Sequence, residues 1–495
     1  MKILLLTDIP PCQGFTAGLV LDRLCRFLPK GSIVCFALTN PDLDPKLSPD
    51  LSWIPTAYGK KRNETSLLPD LRRLSAVLVH RANVSPWFRV LFSPLLGIGA
   101  IIRLAVPSRL HRLFFFPASW LLEKLRRVFV VPRLAKQVVA FGRRHNVDVV
   151  WAVLQGQTVT QIAADVAERL NATLITQVWD PLSWWLHDNQ IDRFNRRSAL
   201  ADFDRALRKS RTCLTASWAM TEDYERRYGP RSVPVIASHP KSVARSPDLS
   251  RFPDDEIHIG MAGQFYAGDE WLHFLRALNM SGWQVRGRPV RITVLGGAAP
   301  PGKSPPGRVQ YLGWQSQADA ARLLSELDVL YCPYPFAPHM ADVMMLSFPS
   351  KVVLYLAAGR PILFHGPAVS SPAVYLQKHR AAVIIGDLHS AAIYNGLCRL
   401  VDHPDLYNEL GRNAQRAFLA DFTLETMRDN FERALGVPLN EIAAETSPAE
   451  APEPIYYPDV RALIPGTGPI LARLRAVLLR LAKMSQRLGR ATIDR

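Results

Sequence analysis

The strongest constraint on the fold is an alternation that is played through once, stops, and starts again. Short apolar runs at Met1–Leu6 and Ile33–Leu38 flank a helical pattern at Phe15–Leu28. After an interruption the alternation resumes with strand Val147–Val153, helix Thr158–Leu170, strand Thr173–Val178, helix Arg193–Lys209, strand Thr212–Ala216 and helix Ala219–Tyr228. Gly229-Pro230 is a strong helix stop. Apolar runs of this length between helices are what strands buried on both faces of a parallel sheet require. Residues 240–254 are polar and Pro-rich and predict a linker. A second round follows: strand Ile257–Met261, helix Glu270–Leu278, strands Val290–Leu295 and Val309–Leu312, helix Asp319–Leu327, strand Val329–Tyr331, helix Ser350–Ala358, strands Pro361–Phe364 and Ala382–Ile385, then helices to about Leu435. The expected fold class is α/β, with two Rossmann-like domains, 1–240 and 255–436, facing a cleft. Ligands in such sheets bind beyond the carboxyl ends of the strands.

Two stretches stand outside the alternation. Residues 69–146 are rich in Arg, Leu, Phe and Trp and poor in acids, and predict a basic apolar insertion. The tail 437–495 begins with Pro, Glu and Ala and ends in a basic amphipathic helix, Ile470–Leu488. Net charge is +17 from 60 Lys+Arg against 43 Asp+Glu, which favours an anionic partner. No nucleic-acid motif is present, and Leu113-Phe114-Phe115-Phe116 and Trp120 beside arginines fit an anionic membrane surface better than a phosphate groove. Packing on the protein's own surface is the alternative for the terminal helix. The longest apolar run, Leu91–Ile102, is too short to span a bilayer. Met1-Lys2 leads straight into a strand, and the six cysteines form no Cys-x-x-Cys pair and no metal-ligand spacing. A cytoplasmic protein with buried thiols, peripheral to the inner membrane and without a metal, is expected.

Several motifs bear on chemistry. Gly297 to Ser304 matches the spacing of a P-loop, but Pro305-Pro306-Gly307 follow at once and block the helix such a loop must open. A linker loop is expected there. Gly14-Phe15-Thr16-Ala17-Gly18 lies between the first strand and helix, where small residues let amides approach a phosphate or sugar; a plain turn meets the same pattern. It is not the dinucleotide fingerprint, since the second strand ends in Thr39-Asn40 without a ribose-binding acid. Gly260, Gly263 and Gly268 cluster after the first strand of the second round, around Gln264, more glycine than one turn needs. In Phe348-Pro349-Ser350-Lys351, Ser350 is expected to N-cap a helix with Lys351 in its first turn, an unfavourable place for a cation unless an anion shares it. A surface lysine is the alternative. Asp180 ends a strand and is followed by Trp184, Trp185 and His187, a carboxylate and aromatics suited to a sugar or else a strand-end cap with core tryptophans.

These segments together resemble the donor-binding domain of GT-B glycosyltransferases, particularly retaining glycosyltransferase family 4 of the bacterial polysaccharide type. The likeness runs through the Gly260–Gly268 loop, Ile292 to Gly297, Val309 to Trp314, Leu327 to Pro333 and the Pro349 to Pro361 block. The first half matches more loosely. The resemblance implies transfer of a sugar from a nucleotide-sugar donor, which is a co-substrate rather than a cofactor, to a lipid-linked or polysaccharide acceptor. It implies donor contacts from Gly263, Gln264, Gly296, Ser350 and Lys351, with Asp342 near enough in sequence to stand in for the ribose-binding glutamate, and acceptor contacts from Gly14, Phe15, Thr16 and Trp184. Asp180, His187 and Lys351 are the candidates for catalysis. Where the family carries Arg and Lys in the first loop, this chain has Gln264 and Ala267, and where it carries two glutamates this chain has Ser347 and Leu354. Those substitutions keep a second expectation open, a non-catalytic GT-B scaffold in a glycan assembly complex. An epimerase on the same fold lacks a His/Glu/Asp cluster beyond Asp180 and His187.

Overall fold

The computed structural model describes residues 1–13, 15–39, 45–61, 120, 123–189, 191, 193–246, 256–296, 305–440 and 455–456. The Gly297–Ser304 motif, the apolar run Leu91–Ile102 and the terminal helix Ile470–Leu488 lie outside these residues.

The first domain is a parallel sheet ordered β15-β3-β2-β1-β4-β5-β6-β7. Its strands are β1 (Ile3–Thr7), β2 (Ile33–Thr39), β3 (Thr56–Lys60), β4 (Val149–Val153), β5 (Thr173–Val178), β6 (Thr212–Thr215), β7 (Arg231–Pro234) and, from the tail, β15 (Ile455–Tyr456). Helices α1 (Thr16–Arg26), α2 (Val131–Arg144), α3 (Gln157–Leu170), α4 (Leu182–Asp188), α5 (Arg193–Arg208) and α6 (Trp218–Tyr228) connect them. β1 is buried on both faces: Leu4 and Leu6 join one core, Ile3 and Leu5 the other. Helix α2 belongs to the first of these cores through Leu134, Val138 and Phe141, although the sequence places residues 69–146 outside the alternation. Its exposed basic residues hide the apolar period in a count of composition.

The second domain repeats the plan. Its sheet runs β11-β10-β8-β12-β13-β14, with β9 (Gln284–Val285) antiparallel to β10. The strands are β8 (Ile257–Ala262), β10 (Arg288–Leu295), β11 (Val309–Gly313), β12 (Val329–Pro333), β13 (Ile362–His365) and β14 (Ala382–Ile385). Helices α7 (Gly268–Met280), α8 (Gln317–Ser325), α9 (Ala341–Leu346), α10 (Ser350–Ala358), α11 (Ser371–Lys378), α12 (Ser390–Asp402) and α13 (Pro404–Asp421) cover it. Strand order reverses between β1 and β4 in one sheet and between β8 and β12 in the other, which makes their carboxyl ends the places for ligands. After Gly307 the chain enters β11 rather than a helix, as the prolines there require.

The final helix, α14 (Leu424–Leu435), crosses back. Phe418 and Phe422 pack in a second-domain core, whereas Met427, Phe431 and Leu435 pack beneath the first sheet. The Phe431 ring lies 5.0 Å from that of Trp151. Burying such a ring stabilises by roughly 2–3 kcal/mol, enough to tether the helix. The two chain crossings are tied together: His239 N–H donates to Phe422 O (3.0 Å) and Leu424 N–H to His239 O (3.0 Å). Burial, with Arg23 nearby, pushes the His239 imidazole down to about 3, so the crossing carries no histidine charge at neutral pH.

Candidate functional site

At the switch point of the second sheet three strand ends are stitched by backbone. Gly263, just past β8, has φ +92 and its N–H donates to Leu295 O at 2.8 Å. Gly296, just past β10, has φ +131 and donates to Gly313 O at 2.7 Å. A Cβ on Gly296 would stand 2.7 Å from Gly263 O, so both the torsion and the contact demand glycine here.

Helix α10 points its amino end at this place. Its N-cap is Pro349, one position earlier than the sequence suggests, and Ser350 is the first helical residue, with no side-chain cap. Proline already holds φ near −70°, and Ser350 is exposed, so the first-turn amides keep no side-chain acceptor. One turn on, the Tyr355 hydroxyl accepts from Ala262 N–H (2.7 Å) and donates to Tyr331 O (3.2 Å), pinning α10 to the end of β8 and the middle of β12.

Lys351 is the centre of this pole. It is 8% exposed, and its Cε lies 3.8 Å from where a Gly263 Cβ would be. Nζ donates to Gln264 O at 3.3 Å and sits 4.4 Å from the centroid of the Tyr266 ring. Among the described residues no carboxylate lies within salt-bridge distance of it. Burial holds its pKa below the usual lysine range. A buried ammonium with one weak carbonyl acceptor and no counter-charge is chemically suited to meet an anion.

Across the cleft, Asp180 lies two residues beyond β5 and accepts a hydrogen bond from Ser347 Oγ of the second domain at 2.7 Å. Burial raises its pKa, and the Ser347 bond opposes that shift. Tyr266 and Tyr334 are near enough to feel its charge. Further along this seam the Ser183 hydroxyl donates to Asp342 and Trp184 Nε1 donates to Met340 Sδ (3.0 Å). The His187 and His339 rings stack 5.5 Å apart.

No protein-family model and no curated protein matches the chain. Among solved structures it is similar to HepE from Anabaena crystallised with UDP: TM-score 0.56, 13% identity, 88% of this chain and 100% of that one. Sucrose-phosphate synthase from Thermosynechococcus elongatus matches at TM-score 0.54 and 13% identity, over 88% and 98%. The trehalose 6-phosphate synthase of Burkholderia multivorans matches at 0.51 and 14%, over 88% and 98%. The chain has the GT-B fold.

Within that GT-B frame the sequence-derived residues fall into three groups. Gly263, Gln264, Gly296, Ser350 and Lys351 come together at the second-domain pole. Asp180, His187, Trp184 and Asp342 lie along the seam, but not as one constellation. His187 meets His339 and makes no hydrogen bond with Asp180; Trp184 and Asp342 are engaged by Met340 and Ser183. Leu354, half-buried, packs against a second-domain core. In the third group, Phe15 is the half-buried N-cap of α1, Thr16 is exposed, and Gly14 lies outside the described residues. Gly18 is glycine for packing, since a Cβ there would stand 2.4 Å from Cys12 Sγ. Sequence reasoning missed Tyr266 and Met340, and took Ser347 only as a substituted glutamate position. An aromatic inside a glycine-rich loop was the one signal available, for Tyr266.

Proposed function

We propose that the chain is a glycosyltransferase of the hexosyltransferase type. It moves a sugar from a nucleoside-diphosphate sugar to a glycan or lipid-linked acceptor, with retention of configuration at the sugar. One observation carries the reading: a buried, unneutralised Lys351 ammonium between two positive-φ glycine turns and a helix amino end, at the switch point of a Rossmann-like sheet. As the bond from the sugar's anomeric carbon to the phosphate oxygen breaks, the electron pair and negative charge pass to the diphosphate. Lys351 and the uncapped amino end of α10 are set to stabilise that charge, and the glycine turns, without side chains, leave room for the diphosphate to approach. Asp180, with Ser347 holding one oxygen, is suited to accept a hydroxyl of the sugar. The structural relative HepE has been crystallised with UDP, with UDP and glucose and with UDP-glucose, which supports a nucleotide-sugar donor. No resident cofactor enters this reading, because the donor itself brings the leaving group.

The acceptor side is read from charge. Residues 62–122 and 457–495 each hold eight Lys/Arg against two Asp/Glu. β15 lies parallel beside β3, so the chain passes residue 61 and residue 456 at the same end of the first sheet. Two basic stretches leaving one end support contact with an anionic membrane, at its cytoplasmic face, and an acceptor held there. Among the described residues no single helix is long and apolar enough to cross a membrane.

Incubation with radiolabelled nucleotide sugars and membrane extract tests this: transfer from one donor, abolished in Lys351→Ala, is expected. No transfer from any common donor, with Lys351→Ala like the wild type, would overturn it. A second reading, a scaffold without catalysis, is favoured by the seam, where Asp342 and Trp184 are already engaged between domains. Calorimetry separates the two, since a scaffold takes up no UDP, GDP or other nucleotide.

A further inference from the structure

We infer that Tyr266 is the positioning residue of Lys351, its ring face standing where a carboxylate would normally pair a buried ammonium. The inference rests on the nucleotide-sugar reading for its purpose, though not for its geometry. A buried lysine is ordinarily neutralised by an acid. Such a partner would compete with an incoming diphosphate, and the site would have to break an ion pair to bind. An aromatic face attracts a cation without adding a charge. Tyr266 therefore holds Nζ, 4.4 Å from its centroid, and adds no negative charge that a ligand would have to displace.

Tyr266 is itself held by its ring. It meets Tyr334 edge-on, with centroids 6.1 Å apart, and Tyr334 is anchored by its hydroxyl donating to Val343 O at 3.0 Å. The Tyr266 hydroxyl makes no hydrogen bond to any described residue, and the residue is 37% exposed. Asp180 from the other domain lies near enough to influence the same ring yet is not paired with Lys351. The cation and the nearest cleft carboxylate thus share a neighbour without neutralising one another. The loop's own substitutions fit this arrangement: Gln264 offers only its backbone carbonyl to Lys351, and Ala267 is buried at the start of α7. With no second cation from this loop, the placement of the one lysine decides how well the diphosphate is met.

The ring, not the hydroxyl, is the working part, so Tyr266→Phe and Tyr266→Leu separate the roles. Two measurements on the full chain are needed: the rate at which an amine-acylating reagent modifies Lys351, followed by mass spectrometry, and calorimetric affinity for UDP. Lys351 is expected to label slowly in the wild type and Tyr266→Phe, and faster in Tyr266→Leu. UDP affinity is expected within about twofold of wild type for Phe and about tenfold weaker for Leu, the size of a partly buried cation–π contact. Unchanged melting temperatures in both variants would tie these effects to Lys351 rather than to the fold. Wild-type labelling and affinity in Tyr266→Leu would overturn the inference, as would Phe behaving like Leu. If the wild type takes up no UDP, the proposed function is what fails, and the labelling rates still decide the hold of Tyr266 on Lys351.

Discussion

The two sides of the cleft are built by different means. The second-domain pole is made of backbone and one lysine within a single domain: Gly263, Gly296, the start of α10 and Lys351. The seam is made of side chains reaching between domains. Its pairs Asp180–Ser347, Ser183–Asp342 and Trp184–Met340 are 167, 159 and 156 residues apart in sequence. A pole stitched by strand-end hydrogen bonds is set before any ligand arrives. A seam of a few polar contacts, each worth about 1 kcal/mol, can open and close. Under the proposed function the difference divides the labour: the pole is the part suited to meet charge, and the seam the part suited to shut the cleft around it.

The sharpest way to break this comparison is Lys351→Met. Loss of a charge-assisted contact predicts UDP affinity weaker by roughly a hundredfold, about 2–3 kcal/mol. The same variant should melt no lower than the wild type, because a buried charge without a carboxylate costs stability. Weak binding together with a large drop in melting temperature would mean that Lys351 serves the fold instead. Gly296→Ala attacks the backbone half of the pole. Its Cβ meets Gly263 O at 2.7 Å and its φ is +131, so a loss of about 3 kcal/mol is expected in denaturant unfolding. Gly31→Ala, at φ +82 with open space around it, should cost only about 1 kcal/mol and serves as the control.

The same division explains what could be read in advance. The two rounds of alternation were legible because strands buried on both faces are unbroken apolar runs, and Gly229 and Gly359 mark helix ends in the left-handed conformation. β3 was not legible: Thr-Ala-Tyr-Gly-Lys has little apolar content, and its pairing with β2 and β15 is tertiary. α9 is six residues long, too short to show a period. At the site, Lys351 could be singled out because Pro349-Ser350 opens a helix and puts a cation in its first turn, an unfavourable place without an anion. The Ser347 bond to Asp180 could not, since nothing local joins residues so far apart. Asp342 shows the cost of arguing from nearness in sequence. It lies in the right segment, yet its carboxylate turns to Ser183 of the other domain.

Asp180 sharpens the seam. Burial raises its pKa above the ordinary 3.8. A carboxyl with a raised folded pKa favours folding while protonated. That benefit is complete below the unfolded value and is lost as pH climbs through the unfolded and then the folded value. Asp180→Asn removes the cost of the ionised form. At pH 7 it should melt above the wild type, with the gap closing as pH falls below about 4. Sugar transfer should drop about tenfold or more, for want of a charged acceptor. A variant that is less stable at pH 7 would show instead that the ionised Asp180–Ser347 contact holds the domains together.

The smallest effect expected is from the outer seam. Ser183→Ala with Trp184→Phe removes two interdomain contacts and leaves every pole residue in place. About 1 kcal/mol per contact is lost from the closed state alone. The radius of gyration from small-angle scattering should rise in the free protein, while UDP affinity changes less than threefold. The hinge is not touched, since His239, Phe422 and Leu424 tie the crossings through backbone, and Trp218 still stacks on Tyr375 with centroids 4.9 Å apart. If scattering is unchanged, closure belongs to that aromatic contact and the crossings, and the polar seam only follows. If instead UDP binding falls with the seam, pole and seam are one site, and the separation drawn between them is wrong.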